Sequence, residues 1–247
     1  MFETTTVKFE GMAPQRKPFT WTYSKLKNFR SCPKRHYHYE IAKLLGDMDN
    51  AIRENESEEL KLGNELHKAM AQRVSKGIPL PTAFRVYEEY AQAFLERANR
   101  LPNPVILVEQ KWAINRDYQL VGYFAKDVWF RQTLDAVAIS KEAGIGLQWD
   151  WKTGKPKNDP LQLLLGAAML FTQYPELDGM LNEFVWLQHG SRTTARLMRA
   201  DVPQLWAAVL PEVQKMEHAY NNVMYPAQPN ALCGNWCQVE SCPHHGL

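Results

Sequence analysis

The chain has 247 residues, 45% of them hydrophobic and 23% charged, with a formal net charge of +2. That balance suits an ordinary globular protein with one substantial core. It also means that any nucleic-acid binding must come from local clusters of basic residues, not from overall charge. Residues 1–11 lack a basic start followed by an apolar run, and the longest apolar stretch, 161–171, is too short to span a bilayer. A cytoplasmic location follows as the expectation, and with it free thiols in place of structural disulfides.

Residues 1–20 read as an extended arm and 21–247 as a single domain. Thr22 or Ser24 can cap a first helix with Leu26 and Phe29 on its buried side. A break at Cys32-Pro33 precedes a second helix over 33–45, with proline tolerated in its first turn. Between Arg16 and Lys43 there are eight basic residues and one acid, Glu40. Lys25, Lys27, Arg30, Lys34 and Arg35, interleaved with His36, Tyr37 and Tyr39, suit a surface that follows phosphates and stacks bases. A solvated helix face with buried tyrosines fits the same pattern.

A helix over 54–76 repeats Leu62, Leu66, Met70 and Val74 every fourth residue, and sets Gly63 and His67 on one face. A further amphipathic helix over 81–99 reads as scaffold. Strands are expected at 105–114 and 121–130, the first carrying Glu109, which reads as a solvated strand residue and not a ligand. In 133–139, alternation puts Thr133, Asp135, Val137 and Ile139 on one face. In 146–152 it puts Gln148, Asp150 and Lys152 on one face and Leu147, Trp149 and Trp151 on the other. A four-residue loop at 141–144 pairs Ser140 with Ile145 and sets Asp135 opposite Asp150. Like charges across a ladder repel, and a divalent cation between them would reverse that penalty.

Asp159-Pro160 signals a helix start that brings Gln162 into the first turn. A strand at 182–187 follows, then a basic stretch with Arg192, Arg196 and Arg199. A helix over 202–225, interrupted by Pro211, comes next. Three cysteines, Cys233, Cys237 and Cys242, lie in a short Gly- and Pro-containing tail that needs a staple.

The spacing Asp135-x14-Asp150-x-Lys152 resembles the PD-(D/E)XK nuclease superfamily, and DWKTG (150–154) its RecB-type branch. GNELH (63–67) is similar to that branch's G-x-x-x-H helix, and Gln162-Leu163 to its Q-L-x-x-Y helix. Gly166 stands where that tyrosine would be, and Thr133 stands two residues before Asp135 where glycine is common. The resemblance implies an α/β fold with a central mixed sheet flanked by helices. It implies Mg²⁺ or Mn²⁺ held by His67, Asp135, Asp150 and the Trp151 carbonyl, with Lys152 and Gln162 beside Asp150 in catalysis. Cys32 with the C-terminal trio resembles the iron–sulfur nucleases of this group, which implies a [4Fe–4S] cluster joining the chain ends. The trio's spacing departs from theirs, and a structural zinc, with His244 or His245 as a spare ligand, or unrelated thiols remain open. The implied activity is sequence-independent DNA cleavage, expected as an exonuclease on single-stranded ends. An inactive DNA-binding or assembly protein of the same fold is the alternative. Relatives of this kind occur beside CRISPR systems and in phage genomes, which would place recombination, phage or CRISPR-adaptation proteins among its partners.

Overall fold

The computed structural model describes residues 17–52, 58–234 and 236–247. The expected arm therefore lies outside the described residues up to position 16, as do residues 54–57 of the expected 54–76 helix. Six strands form one mixed sheet in the order β2-β1-β3-β4-β5-β6. They are β1 Val105–Ile114, β2 Leu120–Val121, β3 Phe130–Ser140, β4 Ile145–Lys152, β5 Gly179–Trp186 and β6 Ser191–Met198. Only the β4–β5 pair is parallel, and the crossover between them is helix α5, Leu161–Gln173. The expected α/β architecture with a central mixed sheet is the one found.

Helices cover both faces. On one side, α1 (Tyr23–Ser31), α5 and α6 (Val202–Asn222) bury Leu26, Leu165, Met169 and Trp206 against Phe130, Leu134, Val137 and Ile139. On the other, α3 (Glu58–Lys76) and α4 (Glu88–Ala98) bury Leu66, Met70 and Phe94 against Ala136, Leu147, Trp149 and Trp151. Leu62, expected on the buried stripe of α3, is instead 50% exposed.

Local signals in the sequence account for most boundaries. The Thr22 hydroxyl caps α1 by accepting from the Lys25 N–H at 3.2 Å. Helix α2 is only Pro33–His36. It runs on through a π turn, Tyr37–Ile41, and a 3-10 turn, Ala42–Leu45, to left-handed Gly46. Asp159 acts one position earlier than expected: its Oδ1 accepts from the Leu161 N–H at 3.2 Å, and Pro160 itself takes the cap position.

Three expectations fail. The strand over 121–130 is only Leu120–Val121; Gly122, Lys126 and exposed Asp127 turn the chain before β3 begins at Phe130. The basic stretch after β5 contains an edge strand, β6, whose alternating Arg192, Thr194 and Arg196 mask the pattern of a half-buried strand. The third concerns Asp135. Leu134 and Val137, three apart, both join the α5-side core, and Ala136 joins the α3 side. Asp135 therefore does not share a face with Val137 and Ile139. It and Ala136 point successively to the α3 side.

Strand β1 does the same in step. Leu107 and Trp112 pack on the α5 side, Val108 on the α3 side, and Glu109 between them has φ +49°. A left-handed non-glycine residue inside a strand is uncommon, and here it reverses the side-chain alternation. The β1–β3 register is unchanged across this point, running Val108↔Ala136 then Gln110↔Leu134, because both strands reverse together.

Candidate metal and nucleic-acid site

The matched reversal aims two carboxylates at α3. A ring nitrogen of His67, a Glu109 oxygen and an Asp135 oxygen all lie within 4.8 Å of one another. Asp135 Oδ2 is 3.1 Å from His67 Nδ1 and accepts the Trp151 backbone N–H at 3.0 Å. Burial opposes a proton on His67, but its bond to Asp135 and the charges of Asp135 and Asp150 outweigh this and raise it above the usual imidazole range. The sequence predicts a solvated Glu109 outside the ligand set; it is the most exposed of the three, yet it faces the site. Its left-handed backbone, for which glutamate gives no signal, is what turns it into the site.

The hairpin register is as expected at Ser140↔Ile145 and holds to Ala136↔Trp149. There β3 and β4 part, so Asp135 and Asp150 approach across a gap and not as a ladder pair. Asp150 lies on the α5 side with Gln148 and Lys152, as the alternation predicts. It is 4% exposed; its Oδ1 is 2.6 Å from Lys152 Nζ and its Oδ2 accepts from Gln162 Nε2 at 2.8 Å. Lys152 Nζ also reaches Gln162 Oε1 at 3.4 Å. Burial drives the Asp150 carboxyl up to about 6, against the pull of Lys152 and with a further push from Asp135. Burial would lower the Lys152 ammonium, but Asp150 holds it above the usual range. Glu109 is likewise raised, chiefly by burial and then by Asp135. Carboxylates crowded this way against one imidazole form an oxygen-rich donor set suited to Mg²⁺ or Mn²⁺.

Two separate cavities open beside this strand end. One, of about 650 Å³, is lined by Gly63, His67, Glu109, Thr133, Asp135 and Thr153. The other, of about 400 Å³, is lined by Tyr23, Lys27, Lys152, Lys155, Lys157 and Gln162. Lys27 is pushed down by burial first and then by the charge of Lys157, while Asp159 in the same lining pulls the other way; with four lysines against that one aspartate, the cavity favours an anion. Lys155 and Lys157 were not singled out from the sequence, although they follow Lys152 at short spacing.

The other basic residues of the first helices do not converge here. Arg30 is exposed; Lys34 and Arg35 lie beside the cysteines, and Lys25 opens into a different cavity. His36 is 1% exposed and packs edge-on against Phe29, so it cannot stack on a base. Tyr37 is tied by its hydroxyl to Asp47 and packs on Tyr225. Arg199 donates to the Phe171, Tyr174 and Leu177 carbonyls and closes the end of α5, so it lines no channel. Arg192 covers the Trp149 ring at 4.7 Å.

Cys32, Cys233, Cys237 and Cys242 line one cavity, with His244 at its wall. Cys32 Sγ accepts N–H bonds from Arg35 at 3.5 Å and Gln228 at 3.4 Å. The two chain ends are also joined by Lys34 N–H to the Pro226 carbonyl at 3.1 Å and Asn230 to the Ser31 carbonyl at 2.9 Å. Four thiols around one space, with N–H groups already aimed at sulfur, fit a thiolate-bound metal group.

A sheet end that presents His, Glu and Asp on one side and an Asp–Lys–Gln cluster on the other is the arrangement of a metal-dependent nuclease. The sequence model of the PD-(D/E)XK nuclease superfamily matches residues 20–244, and the chain belongs to that superfamily. No curated protein matches it. Among solved structures, "Crystal structure of SSO0001" is similar over 97% of this chain and 90% of that one, at 12% identity and a TM-score of 0.40, too slight a likeness to bear on activity. No helix among the described residues is long and apolar enough to cross a membrane.

Proposed function

We propose that this chain is a sequence-independent deoxyribonuclease acting on single-stranded DNA ends. The observation that carries the reading is the convergence of His67, Glu109 and Asp135 within 4.8 Å, across the gap from the Asp150–Lys152–Gln162 cluster. His67, Glu109, Asp135, Asp150 and the Trp151 carbonyl are the groups that would hold Mg²⁺ or Mn²⁺, which when bound polarises a phosphate and lowers the pKa of its water. Lys152, kept cationic by Asp150, stabilises charge developing on the phosphate. Gln162 fixes the Asp150 carboxylate and orients the Lys152 ammonium.

We read a single-strand preference from the lysine-lined cavity, whose volume of about 400 Å³ is on the scale of a nucleotide. Contacts to phosphate carry no sequence information. The cysteine cavity we assign to a [4Fe–4S] cluster. His244 in its wall favours zinc as the second reading, and the iron and zinc content of anaerobically purified protein separates the two. With Mg²⁺ or Mn²⁺ at one fixed salt concentration, linear single strands should be degraded fastest, blunt duplexes slowly and covalently closed circles not at all. Equal rates on circles and linear strands would overturn the end requirement. No cleavage of any substrate would favour the inactive DNA-binding alternative.

A further inference from the structure

A cavity of about 300 Å³ lies between the segment before α1, α1 itself, the π turn, the start of β3 and α6. Its walls bring together Lys17, Lys25, Lys126 and Arg131, and among the described residues no aspartate or glutamate lines it. The Arg131 guanidinium lies over the Tyr123 and Phe124 rings, 5.4 and 5.8 Å from their centroids. Its buried Nε has no hydrogen-bond partner among the described residues, and neither has the buried Nδ1 of His36, which also lines the cavity. Buried donors are normally satisfied, and several cations do not gather without an anion unless something else holds them. Glu40 acts on Lys25 from nearby, yet burial and the Arg131 charge still leave the Lys25 ammonium lowered. The same burial, with the charge of Lys25 added, takes His36 down to about 3, so its imidazole is neutral and free to donate one N–H.

We propose that this cavity is a phosphate-binding subsite, separate from the cleavage site. Arg131 supplies a planar pair of donors, and Lys17, Lys25 and Lys126 neutralise the remaining charge. Position 131 lies four residues before Asp135 on β3. At a strand rise of about 3.3 Å per residue, the subsite stands roughly 13 Å from the candidate metal ligands. That is a span of a few nucleotides, so a strand engaged at Lys152 can leave a phosphate here. In this form the inference rests on the nuclease reading. A free nucleotide offers the same phosphate chemistry.

The test compares wild type with Arg131→Gln/Lys126→Gln and with Arg131→Lys, all without divalent metal so that nothing is cut. Three probes are used: a fluorescent 12-residue oligothymidylate over a salt series, AMP, and inorganic phosphate. We expect the double variant to bind the oligonucleotide about tenfold more weakly. The slope of log K against log salt should fall by about 0.7, the value for one lost phosphate contact on a single strand. Arg131→Lys, which keeps the charge but not the planar pair of donors, should bind with an affinity between the other two proteins. Loss of AMP and phosphate binding with unchanged oligonucleotide binding would support the subsite with a free nucleotide as its occupant. Wild-type values for all three probes in the double variant would overturn it. Hydrolysis of bis(p-nitrophenyl) phosphate by the wild-type protein with Mn²⁺ judges the nuclease reading separately, because the binding arms do not depend on it.

Discussion

The sheet end around Asp150 and the cysteine clasp both gather side chains from distant parts of the chain, but they are held differently. At the sheet end the backbone does the work. Strand pairing on either side of the gap, the Trp151 N–H to Asp135 and the Gln162 bond to Asp150 hold the candidate ligands in place. At the clasp, the C-terminal segment after α6 has no helix or strand among its described residues, and a few N–H bonds to sulfur and carbonyl oxygen hold it to α1 and α2. A metal at the first place should therefore matter for rate, and a metal at the second for folding.

The sharpest way to break this contrast is at the sheet end. Lys152→Ala should lower cleavage by at least about 10²–10³-fold, the scale for removing one preorganised electrostatic contact, with little change in thermal midpoint. A large loss of stability with modest loss of rate would reverse the roles assigned to the two regions. At the clasp, Cys32→Ala should cost about 2–4 kcal/mol, the range for losing a covalent or metal staple, and should also lower the iron or zinc content. Urea titration with metal analysis on the same samples reads both.

A pair of glycines gives the smallest effects. A Cβ on Gly166 would lie 2.7–2.8 Å from Leu134, Gln132 and Gln148, so Gly166→Ala should destabilise by about 1–3 kcal/mol. On Gly63 the nearest atom, Thr153 Oγ1, is 3.7 Å away. Gly63→Ala should therefore stabilise α3 by up to about 1 kcal/mol. Thermal midpoints moving in the same direction would show that Gly63 is needed for approach to the site and not merely tolerated.

The Gly166 contacts also explain a departure visible in the sequence. Where a tyrosine would be expected on α5, the helix packs directly on the buried glutamines of β3 and β4. Gln132 reaches the Gln162 carbonyl at 2.7 Å. The hairpin around the site was legible because loop length fixes register, and Gln148, Asp150 and Lys152 fell on the face that alternation assigns them. The position of Asp135 was not, because alternation assumes an uninterrupted strand, and no glycine or asparagine marks the reversal at Glu109. Basic residues near Lys25 were grouped by sequence proximity. Helical geometry then dispersed them, with Lys27 beside Lys152 and Lys25 opening two residues away into another cavity.

The paired reversal of β1 and β3 sets a rule for length changes in this chain. A residue deleted from β3 between Phe130 and Asp135 would leave the paired reversal in place but put Gln110–Ile114 one residue out of step with the rest of β3. One ladder would then have to slip by a residue, exchanging its buried and site-facing side chains. A matching deletion in the facing part of β1, between Gln110 and Ile114, would restore the alignment. Insertions and deletions here should be tolerated in pairs, whereas the connection between the two strands is tied down elsewhere, by Tyr118 against Trp129 and Trp206 and by Arg131 over Tyr123 and Phe124.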